Sequence, residues 1–157
     1  EFIDDAQFKV ALSYYELSPK YTLDQQYTIQ AISYFQQFLE NFPESEYTDE
    51  ARTKYQECRN KLGKKEFSTG ELYRKMGIAR AAIISYNNVI ENYPDTDSAD
   101  DALYWKAYCQ EAMNSLEDAE ITLNELLQKY PDTEYKEKAR EMIKNIEDEL
   151  DKYFPDK

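Results

Sequence analysis

The side chains able to do chemistry are few in kind. The 157 residues include 32 acidic side chains, 19 Lys and Arg, and no histidine. The densest carboxylate groups are Asp95/Asp97/Asp100/Asp101 and Glu147/Asp148/Glu149/Asp151. Oxygens in such numbers suit a hard cation such as Ca²⁺, but neither run has the spacing and central glycine of a calcium loop. They read instead as helix caps and solvated helix faces. Without histidine there is no His-based triad, no His general base and no His-containing zinc site. Ser85 has no base at a workable spacing. No catalytic, cofactor-binding or metal residue is therefore expected, and the chain reads as a protein that is not an enzyme.

Cations are scarce and so more informative. Lys64, Lys65, Arg74, Lys75 and Arg80 fall close together in a chain of net charge −13. They read as a docking patch for an acidic partner surface. The overall balance excludes nucleic acid, which is held chiefly by clustered Lys and Arg. It also argues against adhesion of the folded domain to an anionic membrane. No apolar stretch approaches the ~20 residues of a spanning helix. Aromatic residues are plentiful, with 15 tyrosines. Tyr34, Phe35, Phe38, Tyr86 and Trp105 sit at helical spacing and are expected in the core.

The elements that position these residues follow from a repeat. Three apolar segments end at Pro43, Pro94 and Pro131: Ala31-Ile32-Ser33-Tyr34-Phe35 onward, Ala82-Ile83-Ile84-Ser85-Tyr86 onward, and Ala119-Glu120-Ile121-Thr122-Leu123 onward. Each proline opens a polar turn that leads to a charged pair before alanine, at Ala51, Ala102 and Ala139. Ala82, Tyr86, Val89, Ile90 and Tyr93 show the spacing of an amphipathic helix. Proline ends each helix because it lacks an N–H and disfavours helical geometry in the residue before it. One such hairpin cannot bury its apolar face alone, so neighbours must stack.

The pattern fits tetratricopeptide repeats. In the middle unit the small residue of the first helix is Gly70 and the aromatic three later is Tyr73. Ala82 and Tyr86 are their counterparts on the second helix. The third unit places Ala107, Gln110, Ala119 and Leu123 there, with Gln110 departing from the aromatic. The first unit places Ala11, Ala31 and Phe35, with a longer loop around Ser18-Pro19-Lys20. With Pro43, Pro94 and Pro131 these are the repeat-packing positions. The expected fold is an all-α helical solenoid of six or seven helices in one domain, 1–157. Its units are 4–43, 46–94 and 99–131, with a closing helix at 135–151. The prolines are spaced by 51 and then 37 residues. The excess predicts one helix over 46–75, about 40–45 Å long at 1.5 Å per residue, with part of it free as a second contact surface and Gly63 as the alternative break point. Gly70 fits close helix packing and Gly77 a helix-ending turn. Cys58 and Cys109 occupy equivalent repeat positions, which lie about 10 Å or more apart, beyond the ~7 Å limit for a disulfide. Two buried free thiols are expected.

Cys58-Arg59-Asn60-Lys61-Leu62, Lys64-Lys65-Glu66-Phe67 and Glu71 to Gly77, followed by Ala81-Ala82-Ile83, Asn92 to Thr96 and Ala102 to Trp105, resemble the BamD (ComL/YfiO) family. The resemblance covers nearly the whole chain and is to the family's C-terminal repeats. It implies a Gram-negative lipoprotein on the periplasmic face of the outer membrane, within the BAM complex that inserts β-barrel proteins. The implied partners are BamA-like POTRA domains, other lipoproteins of the complex and unfolded outer-membrane protein segments. The N-terminal repeats and the lipid anchor, the implied membrane contact, are expected upstream of Glu1. Two other readings remain. One is a periplasmic adapter resembling the Tol-associated CpoB/YbgF proteins, whose repeats lack the long helix. The other is a carboxylate-clamp co-chaperone, disfavoured because acids and tyrosines fill the groove positions.

Overall fold

The computed structural model describes residues 2–153. It contains seven helices: α1 Phe2–Leu17, α2 Gln26–Asn41, α3 Thr48–Lys75, α4 Ala79–Asn92, α5 Ala99–Ala112, α6 Leu116–Lys129 and α7 Lys136–Tyr153. Among the described residues there is no strand. The chain forms a tetratricopeptide-like helical repeat in two compact units, Glu1–Lys65 and Glu66–Lys157.

The expected long helix is present as the 28-residue α3, and it runs unbroken through a buried Gly63. Asp49 and Glu50 lie in its first turn, and Arg74 and Lys75 in its last. Both charge pairs favour the helix dipole. The helix serves two roles in succession. Its first 18 residues, 48–65, belong to the first unit and equal α7 in length. Ala51 and Cys58 pack there in one cluster with Ala31, Phe35 and Phe38 of α2. Their equivalents on α7, Ala139 and Ile146, pack in the same way with Leu123 and Leu126 of α6. The remainder of α3 opens the second unit, where Phe67 and Tyr73 pack against Ala82, Tyr86 and Val89 of α4.

The small residues at the helix crossings, Ala11, Ala31, Ala82, Ala107 and Ala119, are fully buried, as are Phe35, Tyr86 and Leu123. Gly70 is required by contact: a Cβ there would lie 2.6 Å from Cε1 of Tyr86. Pro43, Pro94 and Pro131 are exposed and end helices rather than fill the core. Each follows an aromatic whose N–H closes the helix, onto Phe38, Val89 and Leu126 respectively.

The two units are closed by the same clasp. In the first, the Ser45 hydroxyl after Pro43 donates to Asp4 at 2.8 Å, and the Tyr47 ring stacks on Phe8 at 4.8 Å. In the second, the Thr133 hydroxyl after Pro131 donates to Asp100 at 2.7 Å, and Tyr135 stacks on Tyr104 at 4.3 Å. These residues occupy matching repeat positions. In the middle repeat the aspartate position is Gly63 and the stacking position is Ser98. There the Thr96 hydroxyl turns back to the Tyr93 carbonyl at 2.7 Å.

Candidate interaction surface

Glu71, Arg74, Tyr86 and Trp105 form the densest polar group of the second unit. Arg74 holds Glu71 with two hydrogen bonds, Nε to Oε1 at 2.9 Å and Nη2 to Oε2 at 2.8 Å. Such a forked pair is stronger and more directional than a single bond. The Tyr86 hydroxyl donates to Glu71 Oε1 at 2.6 Å. The Arg74 guanidinium lies 4.1 Å from the Trp105 ring centroid, a cation–π geometry. Arg74, then the Tyr86 hydroxyl, hold the Glu71 carboxyl below its usual range despite burial. The Glu71 carboxylate in turn keeps Arg74 firmly protonated. Burial, then Glu71, push the Tyr86 phenol up. Glu71 is thus held by both Arg74 and Tyr86, and Arg74 by both Glu71 and Trp105.

The five cations of the expected patch fall in two places. Lys64 and Lys65 belong to the first unit. Lys64 Nζ lies 4.8 Å from the Tyr21 ring centroid, and Lys65 Nζ donates to the Leu23 carbonyl at 2.5 Å. Both hold the connector between α1 and α2. Arg74, Lys75 and Arg80 belong to the second unit. Arg74 is bound as described, whereas Lys75 and Arg80 are exposed on either side of the turn from α3 to α4. Around them Leu72, Met76 and Ile78 are 57%, 61% and 44% exposed. This apolar component could have been read from the sequence, since Leu72 and Met76 stand four apart beside Lys75 on one helical face.

Asp100 and Asp101 accept from Thr133 and Tyr135, the latter at 2.7 Å. Glu147, Asp148 and Asp151 are exposed on α7. Among the described residues no cluster of acidic or cysteine side chains is arranged to hold a metal ion. Cys58 and Cys109 are free and buried, and burial pushes the Cys58 thiol up to about 11. Phe35, Phe38 and Tyr86 are in the core as expected, while Tyr34 and Trp105 sit only partly buried at its edge. Among the described residues no helix is long and apolar enough to cross a membrane.

The model of the family described as YfiO, outer membrane lipoprotein, matches residues 3–121. The chain belongs to this family. Its curated relatives include the outer membrane protein assembly factor BamD of Caulobacter vibrioides, 32% identical over 94 residues, 60% of this chain and 31% of the relative. They also include the protein of the same name from Rickettsia prowazekii, 32% identical over 99 residues, 63% of this chain and 39% of the relative. The chain therefore spans about a third of the length of the relatives it matches. The matched family segment takes in both clusters of cations and the turn from α3 to α4.

Proposed function

We propose that this chain is a non-catalytic scaffold of outer-membrane β-barrel assembly. In this reading it acts at the periplasmic face of the outer membrane and docks on a BamA-like POTRA domain. Membership of the YfiO family, with relatives that are assembly factors, carries the reading. The long helix, absent from the regular repeats of Tol-associated adapters, favours it over that alternative. Lys75 and Arg80 are the cations available for docking, because Lys64 and Lys65 hold a loop and Arg74 is bound to Glu71. The test is calorimetric titration of the 157-residue chain with a cognate POTRA fragment. Binding is expected, weakened roughly tenfold by Lys75→Glu with Arg80→Glu, since like charges brought to an interface repel. No heat of binding from the unaltered chain would overturn the scaffold reading. Unchanged affinity in the double variant would remove these two cations from it.

A further inference from the structure

The α3–α4 corner differs from its counterpart in the next repeat in a way that folding alone does not explain. Lys75, Ile78 and Arg80 correspond to Ala112, Ser115 and Glu117 around the turn from α5 to α6. Both turns close with the same backbone bonds, so neither needs cations or exposed apolar groups to form. Between Glu71 and Glu91 there is no acidic residue, in a chain with 32 of them.

The exposed face has an internal precedent. Leu72 corresponds to Cys109 on α5, which is 2% exposed and packs in one cluster with Ala82, Tyr86 and Val89 of the preceding helix α4. On α3 the seat for a preceding helix is Ala51 and Cys58, which α2 fills. The same register returns 14 residues later, at Lys65 and Leu72, with Met76 four residues on. Leu72 thus repeats a helix-receiving position, and both it and the neighbouring Met76 are left exposed.

We propose that this face receives an acidic amphipathic helix of a partner protein, its apolar residues on Leu72, Met76 and Ile78 and its carboxylates on Lys75 and Arg80. The proposal rests on the scaffold reading and names the kind of segment the scaffold takes at this corner. A helix is the fitting occupant because the same register position on α5 packs against one, and an acidic one because two exposed cations, Lys75 and Arg80, flank the apolar strip. This is helix-in-groove recognition, with anchors at i, i+3, i+4 and i+7.

The test uses fluorescence anisotropy of the 157-residue chain with two synthetic peptides of about four helical turns. Both carry leucines at those anchor positions; one has glutamate and the other lysine on its flanks. The glutamate peptide is expected to bind roughly tenfold or more tighter. Lys75→Glu with Arg80→Glu should reverse that preference, and Leu72→Ser with Met76→Ser should abolish binding of both. All four side chains are exposed or solvent-facing, so an unchanged far-UV melting curve separates lost docking from lost folding. Equal binding of the two peptides, or no binding of the glutamate peptide, would overturn the proposal. So would adsorption to phosphatidylglycerol vesicles that the same variants lose, which would assign the corner to lipid. A chain that binds the POTRA fragment but not the glutamate peptide defeats this proposal alone. A chain that binds the glutamate peptide but no POTRA fragment defeats the assembly reading alone.

Discussion

The two units join their paired helices in different ways. In the second unit the connections are three residues long, 76–78 and 113–115. Each contains a left-handed residue at the same repeat position, Gly77 at φ 77° and Asn114 at φ 61°. The Ile78 N–H reaches the Tyr73 carbonyl and the Ser115 N–H the Gln110 carbonyl, both at 2.9 Å. This closure satisfies helix-end carbonyls with backbone alone. In the first unit the connection runs from 18 to 25 and is held by side chains. Lys61 Nζ donates to Ser18 Oγ at 2.6 Å, and Ser18 and Thr28 hydroxyls meet at 2.5 Å. The Thr28 hydroxyl donates to Gln25 Oε1 at 2.7 Å, and the Gln25 amide donates to the Lys20 and Leu23 carbonyls at 2.8 and 3.0 Å. Because the Thr28 proton goes to Gln25, Ser18 must donate to Thr28. Every bond then points from the ammonium towards the loop, an arrangement in which each bond polarises the next. The difference teaches that the repeat register dictates the packed faces but not the joints between them.

Removing the ammonium is the strongest way to break this contrast. Lys61→Met keeps the packed stem and deletes the donor at the head of the chain. Its cost should be about 1.5–3 kcal/mol, the range for a hydrogen bond to a charged group. Amide exchange across 18–25 should accelerate. Trp105, the one tryptophan and a resident of the second unit, should report an unchanged unfolding midpoint for its own surroundings. Unaltered exchange in the connector would show that the lysine follows the loop rather than holding it.

What was legible in the sequence divides along the same line. The paired alanines, Gly70 and the prolines locate six of the seven helices because burial at a crossing tolerates few residue types. The long helix was legible from the extra spacing, since the segment contains no proline, with Gly63 as its alternative break point. The clasp was present in the sequence as well, as Asp4, Ser45 and Tyr47 recurring at Asp100, Thr133 and Tyr135. It is visible only when two non-adjacent repeats are compared. The departure from an aromatic at Gln110 has its reason in a hydrogen bond that the repeat pattern does not encode. Gln110 Oε1 accepts from the buried Thr122 hydroxyl at 2.8 Å, where the first unit stacks Tyr14 on Tyr34 at 4.9 Å in the same two positions. One pair of positions thus admits a ring stack or a polar bond, and pattern alone cannot choose. The charged patch was the least legible part. Proximity along a helix said nothing of which cations the fold itself engages.

Acid should separate the units next. The Glu71 carboxyl is depressed from its ordinary value of 4.5 chiefly by the Arg74 guanidinium, with a smaller contribution from the Tyr86 hydroxyl. A depressed acid stabilises the fold above its unfolded pKa, and that contribution is lost as pH falls through the folded value. Asp101 in the same unit is raised by burial, so its protonation between its ordinary and folded values opposes that loss. Below pH 4.5 the Trp105 transition should therefore move to lower denaturant. Glu71→Gln should flatten that dependence, by about 1 kcal/mol or less once solvent screening of a partly exposed pair is counted. A pH profile identical in variant and wild type would show that the Arg74 fork adds nothing to stability.

The smallest effects test whether the two tight turns of the second unit are interchangeable. If the left-handed backbone alone is required, Gly77→Asn and Asn114→Gly should each shift stability by only a few tenths of a kcal/mol, because both residues tolerate that region. Alanine at either position should cost about 1 kcal/mol, since its Cβ opposes positive φ. At Gly77 this cost is purely conformational, because a Cβ there meets nothing within 4 Å. The same denaturant titration read through Trp105 measures all four variants. A Gly77→Ala variant as stable as the parent would mean that the turn can leave the left-handed region. The backbone closure from Ile78 to Tyr73 would then not be what joins α3 to α4.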